Sequence, residues 1–208
     1  MSIYLSSSYL APVQYYSKLF MADDVVIEHH DNYVKQTYRN RCVIAGANGP
    51  LPLTIPVEKL DAPKAPMRDI RISDHGNWRH LHWNALVSAY RTTPFFEYYE
   101  DDFRPFYEDR WEFLVDFNEA LRQKVCELID LEPKVSFTYE FARNVPDECD
   151  FRDKISPKYR GTDDNYVPCE YYQVFASRHG FTPNLSIVDL LFNMGPESLI
   201  VLSKSFKG

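Results

Sequence analysis

Glu28-His29-His30-Asp31 sets two imidazoles between two carboxylates, directly after the apolar run Val25-Val26-Ile27. In extended backbone alternate residues share a face, so Glu28 falls with His30 and His29 with Asp31. Each pair is a carboxylate beside an imidazole, an arrangement that orients a histidine for general base work near neutral pH. The same groups are ordinary zinc or manganese ligands, and they could equally hold structure or contact substrate. No further ligand follows at metal spacing, so no metal is assigned, and Glu28 and His29 are the candidates for moving a proton. The next residues, Asn32 to Arg41, crowd Lys35, Arg39 and Arg41 around Tyr33 and Tyr38. Arg offers a fork for phosphate or carboxylate, and Lys a point charge that serves as acid or nucleophile when desolvated. A solvated loop is the plainer reading of such charges, yet Asn40 and Arg41 run straight into apolar Cys42-Val43-Ile44-Ala45. Lys35 therefore joins the catalytic candidates, and Arg39, Asn40 and Arg41 the substrate-binding ones.

A third set lies on one expected helix. Trp78, Leu81, His82, Ala85, Leu86 and Ala89 recur at the spacing a helix buries, Asn77 or Asp74 can cap its start, and Pro94 ends it. Its other side carries His80, Asn84, Ser88 and Arg91 beside Trp83, Val87 and Tyr90. Those are hydrogen-bonding types rather than Lys and Glu, which suits a polar cleft as well as a second buried face with satisfied polar groups. His82, Trp83 and Arg91, with Tyr16 from an earlier helix, complete the substrate-binding candidates.

The elements that must position these residues start with a strand at Ile3–Leu5, a turn of three serines, a helix over Val13–Met21 opened by Pro12, and a strand over Asp24–Glu28. Strand, helix, strand predicts a parallel pair, which brings the serine turn and the Glu28–Asp31 cluster to one carboxyl edge, where open α/β sheets place ligands. The serine turn also resembles an anion-binding junction, although no Gly-rich phosphate loop accompanies it. Asn48-Gly49 predicts an antiparallel hairpin joining Cys42–Ala45 to Leu51–Val57. A loop or lid follows over residues 58–67, then a short strand at Asp69–Ser73. Beyond the organising helix come an acidic aromatic helical stretch over 95–107, a long helix over Trp111–Leu131, a last strand at Val135–Tyr139 and an aperiodic loop over 144–166. The end is helical, with Ser186 capping one segment and Glu197–Leu202 closing. The fold class expected is α/β, a short mixed, partly parallel sheet with an antiparallel hairpin and a largely helical C-terminal half. One domain is expected over 1–208, strand-rich over 1–75 and mainly helical over 76–208.

Composition narrows the function classes. With 208 residues and a net charge of −7, the chain is long enough for a real core and too acidic for a generic phosphate-backbone binder, so nucleic acid is not favoured as a partner. Fifteen Tyr and 14 Phe supply rings for clefts as well as cores. The four cysteines, Cys42, Cys126, Cys149 and Cys169, form no CxxC pair and read as reduced thiols of a cytoplasmic protein. No secretory leader or spanning run is visible, so no membrane insertion is expected.

Tyr9-Leu-Ala-Pro-Val-Gln-Tyr-Tyr16, Glu28 through Asn32-Tyr33-x-Lys35, Tyr38-Arg39-Asn40-Arg41, Thr54-Ile55-Pro56-Val57, Trp78 with His82-Trp83, Ser88 to Arg91, Pro94-Phe95-Phe96 and Asn184 to Asn193 together resemble the WbqC-like protein family. Several separated motifs in one order are more specific than any single one. The resemblance implies a bacterial setting in O-antigen or other surface-polysaccharide assembly, and it leaves the cofactor unassigned. It departs from the family's pattern at His29-His30, where relatives carry paired acids, and at Tyr38, where they carry Trp. Two readings follow. One is a transferase joining an amino-acyl or acyl group to a nucleotide-linked sugar, with Lys35, Arg39 and Arg41 on phosphate or carboxylate and Tyr16, His82 and Trp83 on sugar or base. The other is a non-catalytic binding or assembly protein of the same pathway, using segments 95–109 and 144–166 as partner surface.

Overall fold

A computed structural model describes residues 2–59 and 64–207 of the chain. Strand β1 (Ser2–Ser6) alternates with the pleat, so that Ile3 and Leu5 are buried while Tyr4 faces the other way and is only half-buried. Helix α1 (Val13–Met21) takes Pro12 as its N-cap, since Pro needs no amide partner there, and returns the chain to strand β2 (Asp24–Glu28). β1 and β2 pair in parallel, Ser2 opposite Asp24 through Ser6 opposite Glu28. The third strand of this sheet, β5 (Val135–Phe137), also runs parallel to β2, with Ile27 opposite Phe137. The sheet order is thus β1-β2-β5, extended beyond β1 by a single bridge from Tyr4 to Asp150.

The hairpin forms a separate two-stranded sheet, β3 (Arg41–Gly46) against β4 (Gly49–Thr54). Gly49, at φ 110°, supplies the turn conformation that a side chain would disfavour. The mixed architecture expected from the sequence is therefore present, with parallel strands, an antiparallel pair and helices concentrated in the C-terminal half. The short strand expected at Asp69–Ser73 is instead a 3₁₀ turn (Met67–Asp69) followed by isolated bridges, Val57 to Ile72 and Arg71 to Phe113. Of the loop expected over 58–67, residues 60–63 lie outside the described residues.

Helices α2 (Trp78–Tyr90), α3 (Phe96–Glu108), α4 (Leu114–Leu128), α6 (Ile187–Met194) and α7 (Ser198–Lys204), with the short α5 (Ala176–His179), build the rest. α6 is buried on nearly every side, which its composition of Ile, Val, Leu and Phe permits, and Phe192 packs edge-on to Phe96 and Phe103. One hydrophobic cluster takes in Leu5, Tyr16, Ile27, Leu86, Phe117, Leu121 and Leu190. On α2 the buried arc runs through Trp78, His82, Leu86, Ala89 and Tyr90, and Leu81, expected inside, is 59% exposed. Asn77 precedes that helix in a left-handed conformation with no side-chain cap, and Asp74 binds Arg79 instead. Ser186 likewise makes no cap for α6, because its hydroxyl donates to the Leu10 carbonyl. No described helix is long and apolar enough to cross a membrane.

Candidate functional site at the carboxyl edge of the sheet

β1 and β2 end side by side, so the serine turn and the Glu28–Asp31 cluster meet at one edge, as strand–helix–strand order requires. Ser6 Oγ lies 3.2 Å from Asp31 Oδ2 and 3.0 Å from the Arg152 carbonyl, which share its one hydroxyl hydrogen. Asp31 Oδ2 also receives Arg39 Nε at 3.1 Å and Arg39 Nη2, both partners being buried. Burial outweighs the Arg39 and Ser6 contacts and raises the Asp31 carboxyl above the ordinary range. Asn118, on the buried face of α4, donates from Nδ2 to Ser7 Oγ at 3.1 Å and to the Arg39 carbonyl at 2.9 Å. It thereby fastens the helix to the serine turn.

Glu28 is fully buried and accepts four donors. They are Thr138 Oγ1 at 2.6 Å, the His30 amide at 2.9 Å, the Ala142 amide at 3.0 Å and Arg152 Nη1 at 3.0 Å. Burial alone would raise this carboxyl, but the Thr138, Ala142 and His30 bonds and the Arg152 charge together hold it below the usual range. It is an ionised anchor with its oxygens already engaged. Thr138 has one hydroxyl hydrogen and spends it on Glu28, so the His30 Nδ1 that lies 3.2 Å from Thr138 Oγ1 carries the proton of that contact. Glu28 and His30 are thus brought together, as their shared face implied.

His29 differs. Its ring lies against Phe137, centroids 4.7 Å apart, and its Nε2 is buried with no partner. Burial depresses its basicity, more than the nearby Glu119 restores it, so the ring is neutral at pH 7. Asp31 Oδ1 and Asn118 Oδ1 are also buried and unpaired. Buried polar atoms almost always find partners, and three without a protein partner lie together at this sheet edge. Beside this edge, an open cleft of about 840 Å³ covers the outer face of the sheet, lined by Tyr4, Val26, Thr138, Tyr139, Phe141 and Arg143. Thr138 belongs to both the cleft and the Glu28 cluster, so the two adjoin. Among the described residues no three His, Cys, Asp or Glu side chains converge in a way that could hold a metal ion.

The other expected site residues fall elsewhere. His82 and Trp83 sit on α2. His82 Nδ1 lies 3.1 Å from the Tyr9 hydroxyl, which meets the Tyr107 hydroxyl at 2.8 Å, and burial drops the imidazole pKa to about 4. The group is a closed cluster inside the core. Trp83 is half-buried between Phe96 and Tyr107. Tyr16, expected to bind substrate, is 1% exposed and offers no surface to a ligand. Asn40 Nδ2 donates to the Ile55 carbonyl at 2.8 Å, while its Oδ1 is buried and unpaired. Arg41 Nε binds Thr54 Oγ1 across the hairpin, while Lys35 and Arg91 are exposed. Arg152, Thr138 and Asn118 are the site residues that pattern reading missed. Only Asn118 left a trace, as a polar residue between Phe117 and Leu121 on the apolar stripe of a helix.

The edge and its flanking helices define an α/β protein with a polar, partly unpaired cluster where such sheets take ligands. The WbqC-like protein family model matches residues 7–154, which span every residue of this cluster except Ser6, and the chain belongs to that family. The uncharacterized protein Rv1507c of Mycobacterium tuberculosis is 26% identical to it, over 93% of this chain and 94% of that protein. No solved structure matches the chain.

Proposed function

We propose that the chain is an enzyme of surface-polysaccharide or related glycoconjugate assembly, transferring an acyl or amino-acyl group to a nucleotide-linked sugar. The observation that carries the catalytic part is His29, a neutral imidazole with an unpaired buried nitrogen at the carboxyl edge. In this reading His29 takes the proton from the attacking hydroxyl or amine of the sugar as that group adds to the acyl carbonyl, and returns it to the donor's leaving group as the bond between that group and the carbonyl breaks. Glu28 acts through position, holding His30, Thr138 and the 138–142 segment around the reaction site. Arg39 is neutralised by Asp31, and Lys35 and Arg41, which lie apart from this cluster, remain the candidate cations for the phosphates of the nucleotide-linked sugar. The cytoplasmic side of the envelope, where nucleotide-linked sugars are made, is the compartment this chemistry calls for.

One observation favours a binding role in the same pathway. Tyr139 is 98% exposed and Phe141 45% exposed at the mouth of the sheet cleft, a surface that would suit a glycan or protein partner without catalysis. A single variant separates the readings. His29→Gln removes the base while keeping a polar side chain of similar reach. Loss of pathway product with unchanged thermal stability and unchanged thermal shift by nucleotide sugars supports the transferase. Wild-type product levels from that variant would leave the binding role standing.

A further inference from the structure

A second cleft, about 380 Å³ in volume, opens between the start of α2 and the end of α3, lined by Asp74, Arg79, Trp83, Tyr107, Glu108 and Arg110 among others. It is built from different elements than the sheet edge, and its size falls in the ordinary range of small-molecule sites. Arg79 is its fixed floor. The side chain is 15% exposed, its guanidinium lies 4.8 Å from the Trp78 ring, and its Nη1 binds Asp74 Oδ1 at 2.5 Å. Its Nε is buried and bonded to nothing. Arg110 approaches the other Asp74 oxygen at 3.7 Å from a largely exposed side chain.

Three features of this wall select a ligand class. Two carboxylates and two guanidiniums balance, so a polyanion gains no net attraction, and both arginines already face Asp74. The lining holds both acceptors and donors, Asp74 and Glu108 together with Arg79, Arg110, Asn77 and His80. A ligand whose groups donate and accept at once meets both kinds, and adjacent hydroxyls on a ring do so. Trp83 adds aromatic surface that packs well against the C–H face of such a ring. We propose that this cleft binds a saccharide ring. The proposal deepens the glycan reading above, on which the preference for a sugar over another polyhydroxylated ring rests, and it adds a subsite away from His29.

The test is a titration of the intact, ¹⁵N-labelled protein followed at its three tryptophan indoles, Trp78, Trp83 and Trp111. The probes are glucose, galactose, N-acetylglucosamine and glucuronate, with uridine monophosphate and inorganic phosphate as the anionic arm. The expected result is a saturable shift of the Trp83 resonance with at least one sugar while Trp111 stays in place. Glu108→Gln and Arg110→Ala, both at exposed positions, then weaken that binding about tenfold each, the loss of one charge-assisted hydrogen bond. His29→Gln binds the same sugar as the parent does, so failure of the catalytic reading and failure of the cleft are told apart. No Trp83 shift with any sugar, a shift with the anions alone, or a sugar response indifferent to both cleft variants overturns the proposal.

Discussion

Arg152 Nη1 lies 3.0 Å from Glu28 Oε2, joining the end of the second strand to a loop 124 residues later. Both side chains are buried, at 9% and 0% exposure. Arg152 also forks onto Asp150 at 2.9 and 2.6 Å and donates to the Ala142 carbonyl at 2.8 Å. One guanidinium therefore ties the loop to itself and to the sheet. Arg152→Met is expected to cost about 3–5 kcal/mol, because it strands a buried carboxylate. Glu28→Gln in the same background should recover part of that loss. Urea denaturation of the two single variants and the double variant measures both, and simple additivity would show that the pair is not coupled.

Stability should fall as the solution is acidified through the histidine range. For His82 the folded-state pKa is about 4 against an ordinary 6.5. A depressed value means that the unfolded chain binds the proton more tightly. The contribution is therefore present above about pH 6.5 and lost progressively toward pH 4. On the order of 3 kcal/mol is at stake for this one group. His29 shifts in the same direction. Melting temperature followed from pH 7 to 4 should decline, and more shallowly in His82→Gln. An unchanged slope in that variant would assign the acid sensitivity to other groups.

Tyr90 reaches two partners at once, accepting from the Ala45 amide at 3.0 Å and donating to Asp189 Oδ1 at 3.0 Å. Asp189 is itself buried, and that burial raises its carboxyl despite the Tyr171, Tyr90 and Gln173 bonds. Tyr90→Phe leaves an amide and one carboxylate oxygen unsatisfied, for an expected loss of about 1–3 kcal/mol. The same variant should raise the Asp189 pKa further. Chemical denaturation at pH 7 and at pH 5 checks both parts, since a carboxyl that protonates more easily makes the penalty smaller at the lower pH.

The four thiols should divide by accessibility. Cys42 and Cys126 are buried, and burial pushes Cys126 up to about 11 and Cys42 higher still. Cys149 and Cys169 are half-buried on the polar C-terminal segment. A thiolate-selective reagent at pH 8 is expected to modify those two in the native protein and all four only after unfolding. Mass spectrometry of the modified peptides reads the outcome, and early labelling of Cys42 would mean that the β3–β4 hairpin opens locally.

Much of the frame could be read directly from residue order. The run Val25-Val26-Ile27, bounded by acids, reads as a buried strand, and the helix over Val13–Met21 before it suggests the parallel pairing that the sheet has. The meeting of the serine turn with the 28–31 cluster came with that topology. The partners of that cluster were another matter. Thr138 and Arg152 lie on aperiodic segments, and contacts across more than a hundred residues leave no local spacing to detect. The stretch 144–166 read as a loop awaiting a partner, yet Asp163 is held by Lys18 at 2.9 Å and by Gln14 at 2.8 Å. Polarity alone does not distinguish a solvated charge from a buried ion pair. On α2 the same difficulty misplaced Leu81, because a stripe rich in aromatics can turn by one residue and bury Tyr90 instead.

The position of β5 has a consequence for how the protein is made. β2 meets its second neighbour only when Val135–Phe137 arrives, after the helices α2, α3 and α4 have been synthesised. During synthesis the strand that carries Glu28 and His29 therefore spends that interval with an open hydrogen-bonding edge, which is a template for pairing with other chains. Long-range parallel pairing is also slow to form. The catalytic candidates thus stay incomplete through that interval, and a nascent chain halted before Val135 would be prone to aggregate rather than partly active.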